Sequence, residues 1–231
     1  MKLSIIISIL DSHEVVRRQI LHYGIMDDLG DVEIIFMDDG SNPPLCDNFG
    51  LKNLTIYPTN DKRPWSWPAG RNKGAEIARG DYLLMMDIDY IITKEALTTA
   101  MEFSGDRMFF CRQFGILDVD GNLAIDKKTL LSYGLKEKYL ASTNFHKGHR
   151  NNFVIKKSLF FEMGGYNEDL IKNPYSQVDG PDSTFKRVWN KFVRRGKAVE
   201  YNGYRPALYM FPNGRFCEKD TGLFHNLDRK I

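Results

Sequence analysis

Short apolar segments alternate with stretches of helical spacing through the first hundred residues. The apolar segments are residues 3–10, 32–37, 54–57 and 82–86. Glu14 to Tyr23 has helical periodicity after the cap candidates Asp11 and Ser12, and Gly70 to Arg79 predicts a helix closed by Gly80. Strands that are apolar along most of their length and alternate with helices predict a mainly parallel sheet covered on both faces.

The second half of the chain is less regular. Val119-Asp120-Gly121-Asn122 separates the stretches 108–118 and 123–125, which predicts a hairpin. Residues 134–152 predict a long loop of the kind that carries function. Lys157 to Met163 predicts a short helix, and Pro181 to Arg195 predicts an amphipathic helix with proline in its first turn.

Composition narrows the class of protein. The 231 residues are enough for one large α/β domain or two small ones, and 42% hydrophobic with 27% charged residues describes a soluble globular chain. A net charge of +2 excludes nucleic-acid binding by bulk electrostatics. Three widely spaced cysteines favour a reducing compartment, so we expect a cytoplasmic protein. The apolar start stops at Asp11 without a cleavage site, which favours a buried strand over a signal peptide.

Two of the apolar segments end in paired aspartates. Asp38-Asp39 follows one strand, and Asp87-Ile88-Asp89 ends another. Residues two apart on a strand point to the same side, so Asp87 and Asp89 can face one site. Hard cations such as Mg²⁺ and Mn²⁺ take carboxylate and phosphate oxygens as ligands. Because parallel sheets bind ligands at the carboxyl ends of their strands, this edge is the candidate site.

Arg71-Asn72-Lys73 opens the helix that lies between these strands. A helix N-terminus with cations beside it suits an anionic ligand. Alternatively, Arg71 is a strut paired with Asp38 or Asp39, and Asp38-Asp39 is an ordinary turn. Trp65 and Trp67 lie on a predicted proline-rich loop, where they either stack on a sugar or base or anchor the loop.

The order of these motifs resembles glycosyltransferase family 2. The series is Ser12-His13-Glu14, Met37-Asp38-Asp39-Gly40-Ser41, Ala69-Gly70-Arg71-Asn72-Lys73-Gly74, Ala78-Arg79-Gly80-Asp81-Tyr82 and Met86-Asp87-Ile88-Asp89. The resemblance spans about residues 3–105. It implies a GT-A fold, an α/β architecture with a Rossmann-like, mixed but mainly parallel sheet and helices on both faces. We expect one domain over 1–231, with residues 1–105 binding a nucleotide-sugar and 106–231 binding the acceptor.

The same resemblance implies roles for individual residues. The nucleotide-binding candidates are Ser8, Asp38, Asp39, Arg71 and Asp87. Asp39 would contact the base, Asp87 the ribose or a metal-bound water, and Asp89 would ligate Mn²⁺ or Mg²⁺. In related enzymes a late histidine completes the metal shell, and His225 is the candidate here.

The C-terminal part is similar to galactosyltransferase-like members of the family. Met163-Gly164-Gly165-Tyr166-Asn167-Glu168 precedes Asp179-Gly180-Pro181-Asp182-Ser183. Alignment on the helix places Asp182 at the position of the catalytic base, and Asp179 is the rival base. Pro181 replaces the usual glutamate. In a loop before this region, His146 and His149 belong to a basic segment that contacts an acceptor or is solvated.

The resemblance implies an inverting, metal-dependent enzyme of polysaccharide or glycoconjugate synthesis. It would transfer a sugar from a nucleotide diphosphate sugar, with a UDP-sugar favoured, to a hydroxyl of a saccharide or lipid-linked saccharide. We expect no transmembrane segment, and peripheral membrane contact through Lys191, Arg194 and Arg195 stays open.

Two alternatives remain. One is a non-catalytic nucleotide-sugar or glycan-binding protein on a degenerate GT-A fold, which Pro181 favours. The other is a sugar nucleotidyltransferase, which would carry a glycine-rich phosphate loop after its first strand. Asp11-Ser12-His13-Glu14 is not such a loop.

Overall fold

The computed structural model describes residues 2–26, 29–61, 63, 66–140, 150–172 and 180–218. The strands are β1 Leu3–Ile9, β2 Val32–Asp38, β3 Leu54–Pro58, β4 Tyr82–Asp87, β5 Tyr90–Ile91, β6 Arg107–Phe109, β7 Cys111–Phe114, β8 Ile116–Leu117, β9 Leu123–Ala124, β10 Phe153–Lys156 and β11 Ala207–Met210. The α-helices are α1 His13–Ile25, α2 Trp67–Ile77, α3 Lys94–Glu102, α4 Lys127–Ser132, α5 Lys157–Glu162 and α6 Pro181–Arg194. Short 3₁₀ helices cover Glu137–Tyr139, Glu168–Lys172 and Gly214–Phe216.

The main sheet has the strand order β3-β2-β1-β4-β10-β6. β1 is parallel to β2 and β4, β3 is parallel to β2, and β10 is antiparallel to both β4 and β6. This confirms the predicted mixed but mainly parallel sheet. The register sets Ser8 opposite both Met37 and Asp87, and Ile9 opposite Asp38, so the polar strand ends lie side by side.

Both faces of the sheet are buried, because successive side chains of each strand point to opposite sides. Ile5 and Ile7 of β1 belong to one apolar cluster, which also contains Val16 and Ile20 of α1. Ile6 belongs to a second cluster, which includes residues of α2, α5 and α6: Ala75, Phe160, Phe185 and Trp189. The hydrophobic effect therefore holds helices against both faces, as the GT-A expectation requires.

The α2 helix differs from its predicted bounds. It runs from Trp67 to Ile77, so Gly80 does not close it, and Trp67 lies in the helix rather than on a loop. Gly80 instead packs against β1, where an added Cβ would lie 2.7 Å from the Ser4 nitrogen. The glycine is needed for this close approach of two backbones.

The second half confirms some predictions and corrects others. α5, α6 and the β8–β9 hairpin form close to where they were predicted. The stretch 108–118 is not a single strand. β6 belongs to the main sheet, whereas β7 pairs in parallel with β11 in a small sheet of order β5-β11-β7. Within the described ranges, no helix is both long and apolar enough to cross a membrane.

Candidate functional site

The candidate site lies at the carboxyl ends of β1, β2 and β4, where loops replace the paired strands. Ser8, Asp38 and Asp87 are brought together by the strand register. The Ser8 hydroxyl donates to the Trp67 carbonyl oxygen at 3.1 Å, which ties β1 to the start of α2. The sheet therefore supplies a polar edge that the N-terminus of α2 closes on one side.

Asp38 shapes the loop after β2. Its Oδ1 accepts hydrogen bonds from the backbone N–H groups of Gly40 and Ser41, and its Oδ2 accepts from that of Leu45 at 2.9 Å. The side chain is only 3% exposed. These contacts give Asp38 a structural role in the turn, and its contact with a nucleotide stays a prediction.

Asp39 is the buried carboxyl group of the site. It is 7% exposed, and its Oδ1 has no hydrogen-bond partner within the described residues. Burial raises the pKa of Asp39 to about 7, and the nearby carboxylates of Asp38 and Asp61 contribute to the rise. An unsatisfied buried acceptor of this kind is costly in free energy unless a ligand donates to it.

Gly70 of α2 lets this helix approach Asp39 closely. A Cβ built on Gly70 would lie 2.7 Å from both Asp39 Oδ1 and Ser8 Oγ. Any larger residue would therefore displace the two side chains that the sequence predicted to bind a nucleotide.

Arg71 pairs with Asp87 rather than with either aspartate of β2. The distance from Arg71 Nη2 to Asp87 Oδ1 is 2.6 Å, and Nη1 donates to the Asn151 carbonyl at 3.2 Å and to the Tyr166 hydroxyl at 3.3 Å. The guanidinium is 1% exposed and lies over the Trp67 ring, 4.9 Å from its centroid. Burial is the largest influence on Arg71 and by itself would lower its pKa, but the charges and hydrogen bonds of Asp87 and Tyr166 together outweigh it and the pKa is raised. Arg71 is thus paired with Asp87 and not with Asp38 or Asp39, the partners that the strut alternative named, and its contact with a nucleotide stays a prediction.

Asn152 and Asn72 fix the surroundings of this pair, and of the two only Asn72 belongs to a motif that the sequence indicated. Asn152 accepts a hydrogen bond from the Asp87 backbone N–H at 2.8 Å and fixes the end of β4. Asn72 donates to the Tyr166 carbonyl at 2.9 Å and to Glu168 at 2.8 Å, which joins α2 to the second half of the chain. The motif with Arg71-Asn72 and the Gly-Gly-Tyr signature were the sequence signals for these contacts, and neither indicated Asn152.

Asp89 lies after β4, beside the small sheet. Its Oδ2 accepts from Asn213 Nδ2 at 2.8 Å, and its carbonyl accepts from the Phe211 N–H at 2.9 Å. Asp87 and Asp89 are both partly exposed and offer hard oxygen donors, which fit Mg²⁺ or Mn²⁺ when phosphate oxygens complete the shell. Within the described residues, no group of three or more His, Cys, Asp or Glu side chains is placed so that it could hold a metal ion.

Asp182 lies in the first turn of α6 and is partly buried. Pro181 begins the helix, and Gly180 precedes it as the N-cap. The next residue, Ser183, accepts a hydrogen bond from Arg150 Nη1 at 3.0 Å. Negative charge is stabilised at this end of a helix. Trp65, His146, His149, Asp179 and His225 lie outside the described residues.

These residues form an edge suited to a charged nucleotide. A buried carboxyl acceptor, a helix N-terminus and two carboxylates lie at the ends of adjacent strands. A family model, described as glycosyl transferase family 2, matches residues 4–166. The chain belongs to glycosyltransferase family 2.

Solved structures of GT-A glycosyltransferases share the fold. S. aureus TarS 1–349 in complex with UDP has a TM-score of 0.56 and 15% sequence identity, over 92% of this chain and 61% of that chain. The mannosyltransferase PcManGT from Pyrobaculum calidifontis, in complex with GDP-Man and Mn²⁺, has a TM-score of 0.57 and 13% identity, over 93% and 58%. TarS 1–349 was also solved with UDP-GlcNAc, at a TM-score of 0.52 and 18% identity, over 81% and 53%.

This glycosyltransferase chain spans less than two thirds of the length of these neighbours. At such low identity the likeness shows the GT-A fold alone. No curated protein sequence matches the chain.

Proposed function

We propose that this family 2 chain is an inverting glycosyltransferase that uses a metal-bound nucleotide diphosphate sugar. The observation that carries the proposal is the buried Asp39 carboxyl, whose Oδ1 has no hydrogen-bond partner among the described residues, near the Arg71–Asp87 pair at the carboxyl ends of parallel strands. In sheets of this type, ligands bind at that edge.

The favoured donor is a UDP-sugar. Asp39 would accept the imide N–H of uracil, which would satisfy the carboxylate oxygen that has no partner in the described part of the chain. Ser8 and Asp38 line the same edge. The neighbour in complex with UDP supports this choice. Guanine also presents N–H donors, and the neighbour in complex with GDP-Man makes a GDP-sugar the second candidate.

Asp87-Ile88-Asp89 serves as the DXD motif in this proposal. Asp89 would hold Mn²⁺ or Mg²⁺, with His225 as the proposed second ligand, while Asp87 lies closer to the ribose. A bound metal ion would neutralise charge on the leaving diphosphate. The contact between Asp89 and Asn213 orients the Asp89 carboxylate at the partly exposed edge.

Asp182 is the proposed general base. It would accept the proton of the acceptor hydroxyl while that oxygen attacks the anomeric carbon from the face opposite the leaving group, which inverts the configuration. The α6 N-terminus stabilises the negative charge that this role needs. The acceptor is a saccharide or lipid-linked saccharide, as polysaccharide or glycoconjugate synthesis requires.

The proposed division of labour follows the fold. Residues 1–105 would bind the nucleotide-sugar and residues 106–231 the acceptor, within one domain. The contacts from Asn72 to Tyr166 and Glu168 tie these halves together across the site. The widely spaced cysteines favour the cytoplasm as the compartment.

A panel of nucleotide-sugars tests the proposal. UDP- and GDP-sugars are incubated with Mn²⁺ and mixed oligosaccharide acceptors, and product is scored by mass spectrometry. Transfer from a UDP-sugar, with inverted configuration at the anomeric carbon by NMR, is the expected result. Retention of configuration would exclude the single-displacement mechanism. Consumption of a nucleoside triphosphate together with a sugar phosphate, when both are supplied, would indicate a nucleotidyltransferase instead.

Pro181 supports the second candidate, a binding protein without transferase activity. It occupies the position before Asp182 where the related signature has a glutamate, and a proline offers no carboxylate for an acceptor hydroxyl. Nucleotide-sugar binding without product from any member of the donor panel would favour that candidate.

A further inference from the structure

The solvent-facing side of α6 contains a groove, and none of the residues that line it is among those proposed to bind the donor. The groove encloses about 600 Å³. Its lining residues are Arg187, Asn190, Lys191, Val193, Arg194 and Glu200. We refer to these six residues as the α6 groove.

The cations of the α6 groove lie in one row. Arg187, Lys191 and Arg194 are four and three residues apart, which places them on the same side of the helix. All three are exposed. The opposite side carries Phe185 and Trp189, which are buried in the core. The groove therefore presents charge outward on a helix whose apolar face is already covered.

Glu200 is the acidic residue among the six that line the groove, and it contacts other protein groups. Glu200 Oε1 accepts a hydrogen bond from Trp189 Nε1 at 2.6 Å. Beneath it, the buried guanidinium of Arg107 lies 3.8 Å from the Trp189 ring centroid. Burial lowers the pKa of Arg107 to about 9, and the charge of Glu200 opposes that change. Because Arg107 offsets Glu200, the charges of Lys191 and Arg194 leave the groove positive.

The row begins near the turn that contains the proposed base. Ser183, one turn before Arg187 on the same side of α6, accepts a hydrogen bond from the exposed cation Arg150. At 1.5 Å per residue, the helix from residue 183 to residue 194 is roughly 16 Å long. Four cations thus follow α6 from the turn that contains Asp182 to its C-terminal end.

We propose that the α6 groove binds a linear polyanionic acceptor, a chain whose repeating units carry phosphate or carboxylate groups. The inference rests on the proposed transferase function, since it places the far part of the acceptor away from Asp182. A chain fits better than an anionic membrane, because the surface is concave and α6 has no apolar face left to insert into lipid. Cations spaced along a groove bind a charged chain with strong salt dependence.

Binding of a short linear inorganic polyphosphate to the full chain tests this proposal directly. The variant Lys191→Gln/Arg194→Gln removes two groove cations. Its matched control, Lys186→Gln/Arg195→Gln, removes one lysine and one arginine from the same helix outside the groove lining. We expect the groove variant to lose about tenfold or more in affinity and to show a smaller salt slope, while the control stays near the wild type.

Three results would overturn the proposal. They are equal losses in the two variants, absence of polyphosphate binding by the wild type, and binding only to phosphatidylglycerol vesicles with the same dependence on Lys191 and Arg194. UDP titration of each variant measures donor binding, so it tests the proposed function independently of the groove. Polyphosphate binding without UDP binding would reject the donor site and leave the groove as a polyanion site.

Discussion

Nη2 of Arg71 lies 2.6 Å from Oδ1 of Asp87, so the N-terminal half of α2 is held to the end of β4. The guanidinium also contacts the Asn151 carbonyl and the Tyr166 hydroxyl. One buried cation therefore links the end of β4 to two residues from the second half of the chain. The first carboxylate of the proposed DXD motif is oriented by the protein before any ligand binds.

Arg71→Lys is expected to weaken both the fold and the site. Lysine keeps the charge but cannot contact Asp87, Asn151 and Tyr166 with one planar group. Buried acceptors left without a donor lower the free energy of unfolding by about 1–3 kcal/mol. Urea unfolding measures this, with Arg17→Lys on the surface of α1 as the control, expected within about 0.5 kcal/mol of the wild type. Equal stability of the two variants would contradict the role of Arg71.

Gly70→Ala is expected to damage the donor site while α2 remains folded. The added methyl group would lie 2.7 Å from Asp39 Oδ1 and Ser8 Oγ, so these groups must move. We expect UDP affinity, measured by calorimetric titration, to fall about tenfold, the effect of a strain of 1–3 kcal/mol. Gly24→Ala in α1 has open space and should keep UDP affinity while stabilising the helix. Unchanged UDP binding by Gly70→Ala would place the nucleotide elsewhere.

Donor affinity should depend on pH through Asp39. The pKa of its carboxyl is raised to about 7 by burial, and the ionised form is the better acceptor for a base N–H. Because UDP binding is linked to the loss of one proton from Asp39, we predict that UDP affinity rises about tenfold between pH 6 and pH 8. Asp39→Asn should abolish this rise. A pH dependence that survives in the variant would assign it to another group.

The same pKa fixes the sign of a stability effect. The folded carboxyl keeps its proton to about pH 7, whereas the unfolded one loses it near its ordinary pKa of 3.8. Asp39 therefore makes the free energy of unfolding fall as the pH rises between these values. In Asp39→Asn this part of the pH dependence should disappear from urea unfolding curves.

Asp182→Asn should remove transfer without removing donor binding. The amide cannot accept the acceptor proton, and loss of general base catalysis lowers the rate by about 10²–10⁴-fold. UDP titration should give the wild-type affinity. Asp179→Asn is the matched comparison, since it tests the rival base. Full activity in Asp182→Asn together with loss in Asp179→Asn would transfer the role to Asp179.

The sequence predicted the first half of the fold well, because its strands carry their own signal. Apolar runs that end in aspartates predicted β1, β2 and β4, and the alternation of these runs with helices predicted that the strands are parallel. The bounds of α2 were wrong, since Gly80 is required by close contact with β1 and not by a helix end. Pairing between distant segments also left little local signal: β7 joins β11 almost a hundred residues later.

The site was predictable as a set of residues but not as a set of contacts. Local motifs indicated Asp39, Arg71 and Asp87, yet the partner of Arg71 depends on which strand ends lie beneath α2. Asn152 supports Asp87 from the position just before β10, a strand that no periodicity predicted. Such contacts arise from tertiary packing, which a local pattern does not encode.

Calorimetric titration of UDP in the presence of Mn²⁺, and again with EDTA, tests the central claim most directly. We predict binding that is strong with Mn²⁺ and much weaker with EDTA. Asp89→Ala should lose most of this difference, Asp87→Ala should lose less of it, and Asp39→Asn should weaken binding in both conditions. The same affinity with and without Mn²⁺, or wild-type binding by Asp39→Asn, would contradict a metal-bound nucleotide at the carboxyl ends of β1, β2 and β4.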